Sequence, residues 1–285
     1  MSSKLLIKKV ISIIKAELKN DYPTYEIDGF IRIIFDFYLN YSLILLHLNM
    51  NKEISRELFL EIENVVKQLK QKTPIQYILG QTEFYGLKFK LSSNVLIPRV
   101  ETEELVDWIV SEETKGVDIL DIGSGSGCIA ITLAKNIDDA KVTAIDISSE
   151  ALSVVKENAE LNKVKLNRWE CDILKMSNGF YHKYDVVVSN PPYVTNAEKS
   201  EMKKNVLDYE PHLALFVSDD DPLIFYRNII LFAQKNLNKG GRLYFEINEN
   251  FGEEMIDLFL EYGFVNIELR KDINGKDRMI RGILK

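Results

Sequence analysis

Val117-Asp118-Ile119-Leu120-Asp121-Ile122-Gly123-Ser124-Gly125-Ser126-Gly127 runs directly into Cys128-Ile129-Ala130-Ile131-Thr132-Leu133-Ala134. The passage predicts a short buried strand, a tight turn and a helix, in that order. Glycines let the chain reverse sharply and let a ligand approach the backbone, and a helix start leaves free N–H donors behind the turn. The spacing is G-x-G-x-G, because Cys128 stands where a dinucleotide fold would carry its third glycine. That disfavours NAD.

The alternation continues outward from this unit. Lys141-Val142-Thr143-Ala144-Ile145 reads as a second strand and ends in Asp146, 23 residues after Gly123. An acidic side chain at that distance can accept hydrogen bonds from both ribose hydroxyls. It also precedes a helix for which Ser148 or Ser149 is a suitable N-cap, so capping is the other reading. Leu166 to Cys171 reads as a third strand ending at Asp172-Ile173. Asp172 either accepts from an adenine amino group, with Ile173 packed on the ring, or is an ordinary loop aspartate. A fourth run, Tyr184-Asp185-Val186-Val187-Val188-Ser189, ends in Asn190-Pro191-Pro192-Tyr193. Open α/β sheets place ligands at such carboxyl ends. The Asn190 side chain and the Pro191 backbone each offer a carbonyl acceptor, which together suit an –NH2 group. Tyr193 can cover the face of that group, and the prolines restrict the backbone around it. Asn-Pro and Pro-Pro also serve as plain loop punctuation.

The 285 residues suit one large domain and one small one, and 46% hydrophobic content is ample for a core. Residues 1–80 show helical periodicity, including Met1 to Asn20, Ile31 to Leu48 and Ser55 to Leu69. Residues 81–98 read as a hairpin linker, with Glu83 to Leu91 centred on Gly86. From residue 99 to 285, strands alternate with helices, which calls for a mainly parallel sheet covered on both faces. Arg242 to Ile247 reads as a strand, a helix follows from Glu253, and two antiparallel strands meet across Asn274-Gly275. Between Thr195 and Asp221 lies a polar stretch longer than an ordinary connection, and such loops beside a site usually carry function. A net charge of −7 gives no broad basic surface for DNA or RNA. Lysines interrupt the apolar residues of the first helix, and no run is long enough to span a membrane. Cys128 and Cys171 have no disulfide or metal-ligand pattern, which fits a reducing cytoplasm. The histidines, His47, His182 and His212, fall in no motif that needs a base.

Asp121 to Gly127, then Asp146, then Asn190 to Tyr193, resemble a class I S-adenosylmethionine-dependent methyltransferase. More narrowly, the chain resembles the glutamine methyltransferases of peptide-chain release factors, the PrmC/HemK family. Further matching segments are Pro74 to Gly80, Glu83 to Gly86, Leu96 to Glu103, Glu210 to Phe216 and Lys271 to Arg278. The resemblance runs from about Leu69 to the C-terminus. It implies a Rossmann-like α/β sheet, mostly parallel with a C-terminal antiparallel hairpin, and a small N-terminal helical domain. It assigns substrate recognition to residues 1–80 and methyl transfer to residues 99–285. It makes Asn190, Pro191, Pro192 and Tyr193 the catalytic and substrate-binding residues. S-adenosylmethionine would be held by Gly123, Ser124, Gly125, Ser126, Gly127, Asp146, Asp172, Ile173 and Asn190, with no metal. The partner implied is a release factor with its glutamine in a Gly-Gly-Gln loop, without direct nucleic-acid or membrane binding, in the cytoplasm. Two positions depart from the family pattern, Val100 for a proline and Asn248 for a glycine, and both are expected to lie clear of the Asn190 cradle. Three alternatives remain: methylation of adenine or guanine amino groups, methylation of a ribosomal-protein glutamine, and a non-catalytic cofactor-binding module.

Overall fold

A computed structural model of the chain describes residues 4–113, 115–176 and 182–285. The opening Met1 to Ser3 of the expected first helix lies outside that range. The chain forms two units: Met1–Gly80 with Lys204–Tyr209, and Gln81–Lys203 with Glu210–Lys285.

The first unit is helical. Ile7–Leu18, Thr24–Leu39 and Arg56–Lys70 bury Val10, Ile14, Ile34, Phe35, Val65 and Leu69 in one core. The helix expected from Ile31 to Leu48 is broken in two. Asn40 adopts φ 58° and ends Thr24–Leu39 as a left-handed cap, then Ser42 accepts from the Leu45 N–H at 3.3 Å to start Leu43–Leu48. Asparagine tolerates that conformation better than most residues. Leu5–Leu6 pairs with Glu53–Ile54, a contact too short to leave a periodic signal.

The second unit carries the sheet. Its strands are β1 (Asp118–Ile122), β2 (Lys141–Asp146), β3 (Asn167–Glu170), β4 (Tyr184–Ser189), β5 (Leu237–Glu246), β6 (Phe264–Lys271) and β7 (Asp277–Leu284). Their order across the sheet is β3-β2-β1-β4-β5-β7-β6, with β7 alone antiparallel to its neighbours. Helices α1 (Val100–Glu112), α2 (Cys128–Asn136) and α3 (Ser149–Asn162) pack on one face. Helices α4 (Ile224–Asn236) and α5 (Gly252–Glu261) pack on the other. Alternation along β1 supplies both cores: Ile119 faces the first group of helices and Leu120 the second. The hairpin pairs Gln81–Phe84 with Leu87–Lys90, and Tyr85 and Gly86 at its tip have φ of 49° and 72°, as a tight two-residue turn needs. The long stretch after Tyr193 is not structureless. Val194–Thr195 pairs in parallel with Phe216–Val217, and Glu198 accepts from both the N–H and the hydroxyl of Thr195.

Candidate active site

Register brings the sequence motifs together. Ile122 of β1 pairs with Ile145 of β2 on one side and Ser189 of β4 on the other. The residues that follow, Gly123, Asp146 and Asn190, therefore emerge side by side at the sheet's carboxyl edge, where strand order reverses. They line a cavity of about 430 Å³. Asp172, Ile173 and Leu174 form another wall, with Phe225 and Ile229 of α4 and the 93–96 segment closing it.

Asp146 is drawn into the loop. Its Oδ2 accepts from the Gly125 N–H at 2.8 Å and its Oδ1 from the Ser148 N–H at 3.0 Å. Burial raises its carboxyl above the usual range, while those N–H groups pull it back. Each oxygen keeps a further lone pair. The N-cap of α3 is Ser148, whose Oγ accepts from the Ala151 N–H. Asp172 does local work as well, accepting from the Leu174 N–H at 3.0 Å and pairing with Lys175.

Of the glycine-loop residues, Gly123 and Gly125 face the cavity. Ser124 and Ser126 are buried instead. Gly127 starts α2 at φ 79°, and a Cβ there would lie 3.0–3.2 Å from Ile131 and Val155. The buried Asn158 of α3 organises the loop from behind, and sequence reasoning missed it. Its Nδ2 donates to the carbonyls of Ser126 and Lys90, and its Oδ1 accepts from the Lys90 N–H at 2.7 Å.

Asn190 and Pro191 also line a narrower recess of about 40 Å³, together with Tyr193, Arg99 and Glu246. Leu96, Asn190, Pro191 and Ala214 are common to both hollows, so cavity and recess meet at the start of the tetrapeptide. Behind it, Asn190 Nδ2 donates to Thr102 Oγ1 at 3.3 Å, and Thr102 Oγ1 donates to Glu246 Oε2 at 2.6 Å. Tyr193 Oη donates to Glu246 Oε1 at 3.0 Å. Burial raises the Glu246 carboxyl, opposed by the two hydroxyls and by Arg278; the same burial, with Glu246 beside it, holds the Tyr193 phenol protonated.

The expectation that both family departures lie clear of the tetrapeptide is corrected for one of them. Val100 is exposed on α1, but Asn248 Nδ2 donates to the Tyr193 carbonyl at 3.2 Å and to Glu198. A side-chain amide stands where the family pattern has glycine, and it adds a donor to both acceptors. Among the described residues, no helix is long and apolar enough to cross a membrane. No cluster of three His, Cys, Asp or Glu side chains able to hold a metal occurs among them.

Comparisons with known proteins bear on the family and the fold. Residues 92–209 match the Methyltransferase small domain model, and residues 10–80 match the PrmC N-terminal domain model. The chain is similar to the release factor glutamine methyltransferase of Flavobacterium psychrophilum, with 47% identity covering 97% of this chain and 99% of that protein. The enzyme of the same name from Bacteroides thetaiotaomicron is 42% identical, covering 96% of this chain and 99% of that protein. A methyltransferase structure from Pyrococcus furiosus superposes with a TM-score of 0.51 at 16% identity, over 70% of this chain and 90% of that one, which speaks to fold alone.

Proposed function

The chain belongs to the release factor glutamine methyltransferases, and from that premise we propose that it methylates the side-chain amide nitrogen of a glutamine in peptide-chain release factors, with S-adenosylmethionine as donor. The observation that carries the reading is the meeting of the cavity and the recess at Asn190-Pro191.

The cavity fits the donor. Gly123 and Gly125 present backbone without side chains, the carboxylates of Asp146 and Asp172 suit ribose hydroxyls and an adenine amino group, and Ile173, Leu174 and Ile229 suit the purine faces. Ser124, Ser126 and Gly127 serve through the shape of the loop. When bound, S-adenosylmethionine supplies an electrophilic methyl group on a positively charged sulfur.

The acceptor is the harder partner. An amide nitrogen is a poor nucleophile because its lone pair is delocalised into the carbonyl. Asn190 Oδ1 and the Pro191 carbonyl accept its two N–H groups and so direct the remaining nitrogen face toward the cavity. Positioning of this kind is worth about 7–11 kcal/mol at the extreme. The same hydrogen bonds strengthen as the nitrogen gains positive charge, which favours the transition state over the ground state. The methylated nitrogen is acidic enough to lose its proton to water, so no dedicated base is needed. Tyr193 lines the recess around the amide, and Pro192 lines the adjoining cavity. Residues 1–80 recognise the release factor, whose glutamine the family resemblance sets in a Gly-Gly-Gln loop. Acting on the translation machinery, the protein works in the cytoplasm.

The test mixes the protein with S-adenosylmethionine and its host's release factors and maps the products by peptide mass spectrometry. One added methyl on a glutamine is expected. Transfer to DNA or RNA alone would overturn the reading.

A further inference from the structure

We propose that Thr102 and Glu246 are positioning residues that decide which end of the Asn190 amide faces the acceptor recess. The proposal rests on Asn190 accepting an N–H of the substrate. Glu246 is 1% exposed and Thr102 2% exposed, so both are buried and their bonds to each other and to their protein neighbours dominate. Each Glu246 oxygen faces a hydroxyl, Thr102 on one and Tyr193 on the other, with the Arg278 charge favouring the carboxylate. A carboxylate only accepts hydrogen bonds, and a hydroxyl has a single proton to give. Thr102 gives that proton to Glu246 at 2.6 Å, which leaves its oxygen only lone pairs to offer Asn190. Asn190 must therefore present its Nδ2, 3.3 Å away, and turn its Oδ1 away from Thr102.

The two ends of a carboxamide are nearly equal in shape, so packing alone does not choose between them. Reversed, Asn190 would meet the substrate –NH2 with its own –NH2, donor against donor. Both members of the relay are themselves fixed. Thr102 sits in the first turn of α1, its N–H bonded to the Arg99 carbonyl at 3.2 Å. Glu246 ends β5, where its backbone carbonyl accepts from Tyr226 Oη and its second carboxylate oxygen from Tyr193. The relay thus ties three separate elements to one orientation of one side chain.

The experiment compares Thr102→Val, Thr102→Ser, Asn190→Ala and the Thr102→Val/Asn190→Ala double variant. Steady-state methylation of a purified release factor is read together with S-adenosylmethionine titration and thermal melting. Thr102→Val is expected to lose about tenfold in kcat, the worth of roughly one hydrogen bond, with cofactor affinity near that of the wild type. Thr102→Ser keeps the hydroxyl and is expected to restore most of the turnover. The double variant should be no slower than Asn190→Ala, because both changes act through one group. Additive losses, or wild-type turnover in a folded Thr102→Val, overturn the positioning role and leave Asn190's own role standing. Full activity of Asn190→Ala overturns the cradle and the relay with it. If Thr102→Val does not fold, Thr102→Ala is measured against Thr102→Ser by the same criteria.

Discussion

In the proposed cradle Asn190 meets the substrate amide through Oδ1, while its Nδ2 is bonded to Thr102. Asn190→Ala is expected to lower kcat by ~10²–10³, as for loss of one oriented polar group in a preorganised site. Turnover with saturating cofactor checks this, and an unchanged kcat with intact cofactor affinity counts against the cradle. Asp121 is a different kind of residue. It is fully buried, its Oδ2 accepts from the Ala130 N–H, and its Oδ1 has no partner among the described residues. Burial, with the Asp146 charge nearby, pushes its carboxyl up to about 7. The unfolded chain releases this proton near pH 4 and the folded one near 7, so over that window the native state holds more protons. Stability then falls as pH rises through the window and levels off above it. Asp121→Asn keeps an acceptor for Ala130 and cannot ionise. Its melting temperature relative to wild type should climb between pH 4 and pH 8, and a constant difference would show that Asp121 does not titrate there. The tetrapeptide, the glycine loop and Asp146 were legible in the sequence because each lies in a local motif at a strand end. Thr102 and Glu246 were not: Thr102 stands 88 residues before Asn190 and 144 before Glu246, and no local pattern joins them.

Elements were legible where their signal is periodic and their ends are marked. The strand before Gly123, the helix after Gly127 and the hairpin at Gly86 all follow from pattern and turn chemistry. The break at Asn40 was hidden, because apolar periodicity carries straight across it and only the left-handed cap interrupts the helix. Asn158 was hidden for another reason. An asparagine inside an amphipathic helix looks like a surface position, yet here it satisfies backbone groups of two other elements. Lys90 lies 68 residues away and Ser126 lies 32 residues away in sequence. Asn158→Ala strands the Lys90 N–H and two carbonyls, and each buried unmet group costs about 1–3 kcal/mol. Urea unfolding should show a loss in that range or above it, and S-adenosylmethionine binding should weaken as Ser126 loses its anchor. A loss under about 0.5 kcal/mol, the size of a surface substitution, would mean that water takes over those bonds.

At the scale of the whole molecule, the chain enters the helical unit twice. After Gly80 it builds the hairpin, α1, β1 to β4 and the tetrapeptide, then returns for Lys204–Tyr209 before going on to α4. Tyr209 holds that return, its Oη donating to the Gln71 carbonyl at 2.8 Å. A cut at residue 80 therefore removes the partner of a segment that begins eleven positions after Tyr193. The cavity, by contrast, is lined wholly by residues of the second unit. The truncated chain 81–285 should keep S-adenosylmethionine binding, because every wall of that cavity is still present. Methylation of an intact release factor should fall much further than methylation of a short glutamine peptide, which needs only the recess. Calorimetric titration of the cofactor and parallel assays on the two substrates separate these effects. Equal loss on peptide and protein would assign the helical unit to ordering of the 204–209 return, and undiminished activity on the protein would remove it from recognition altogether.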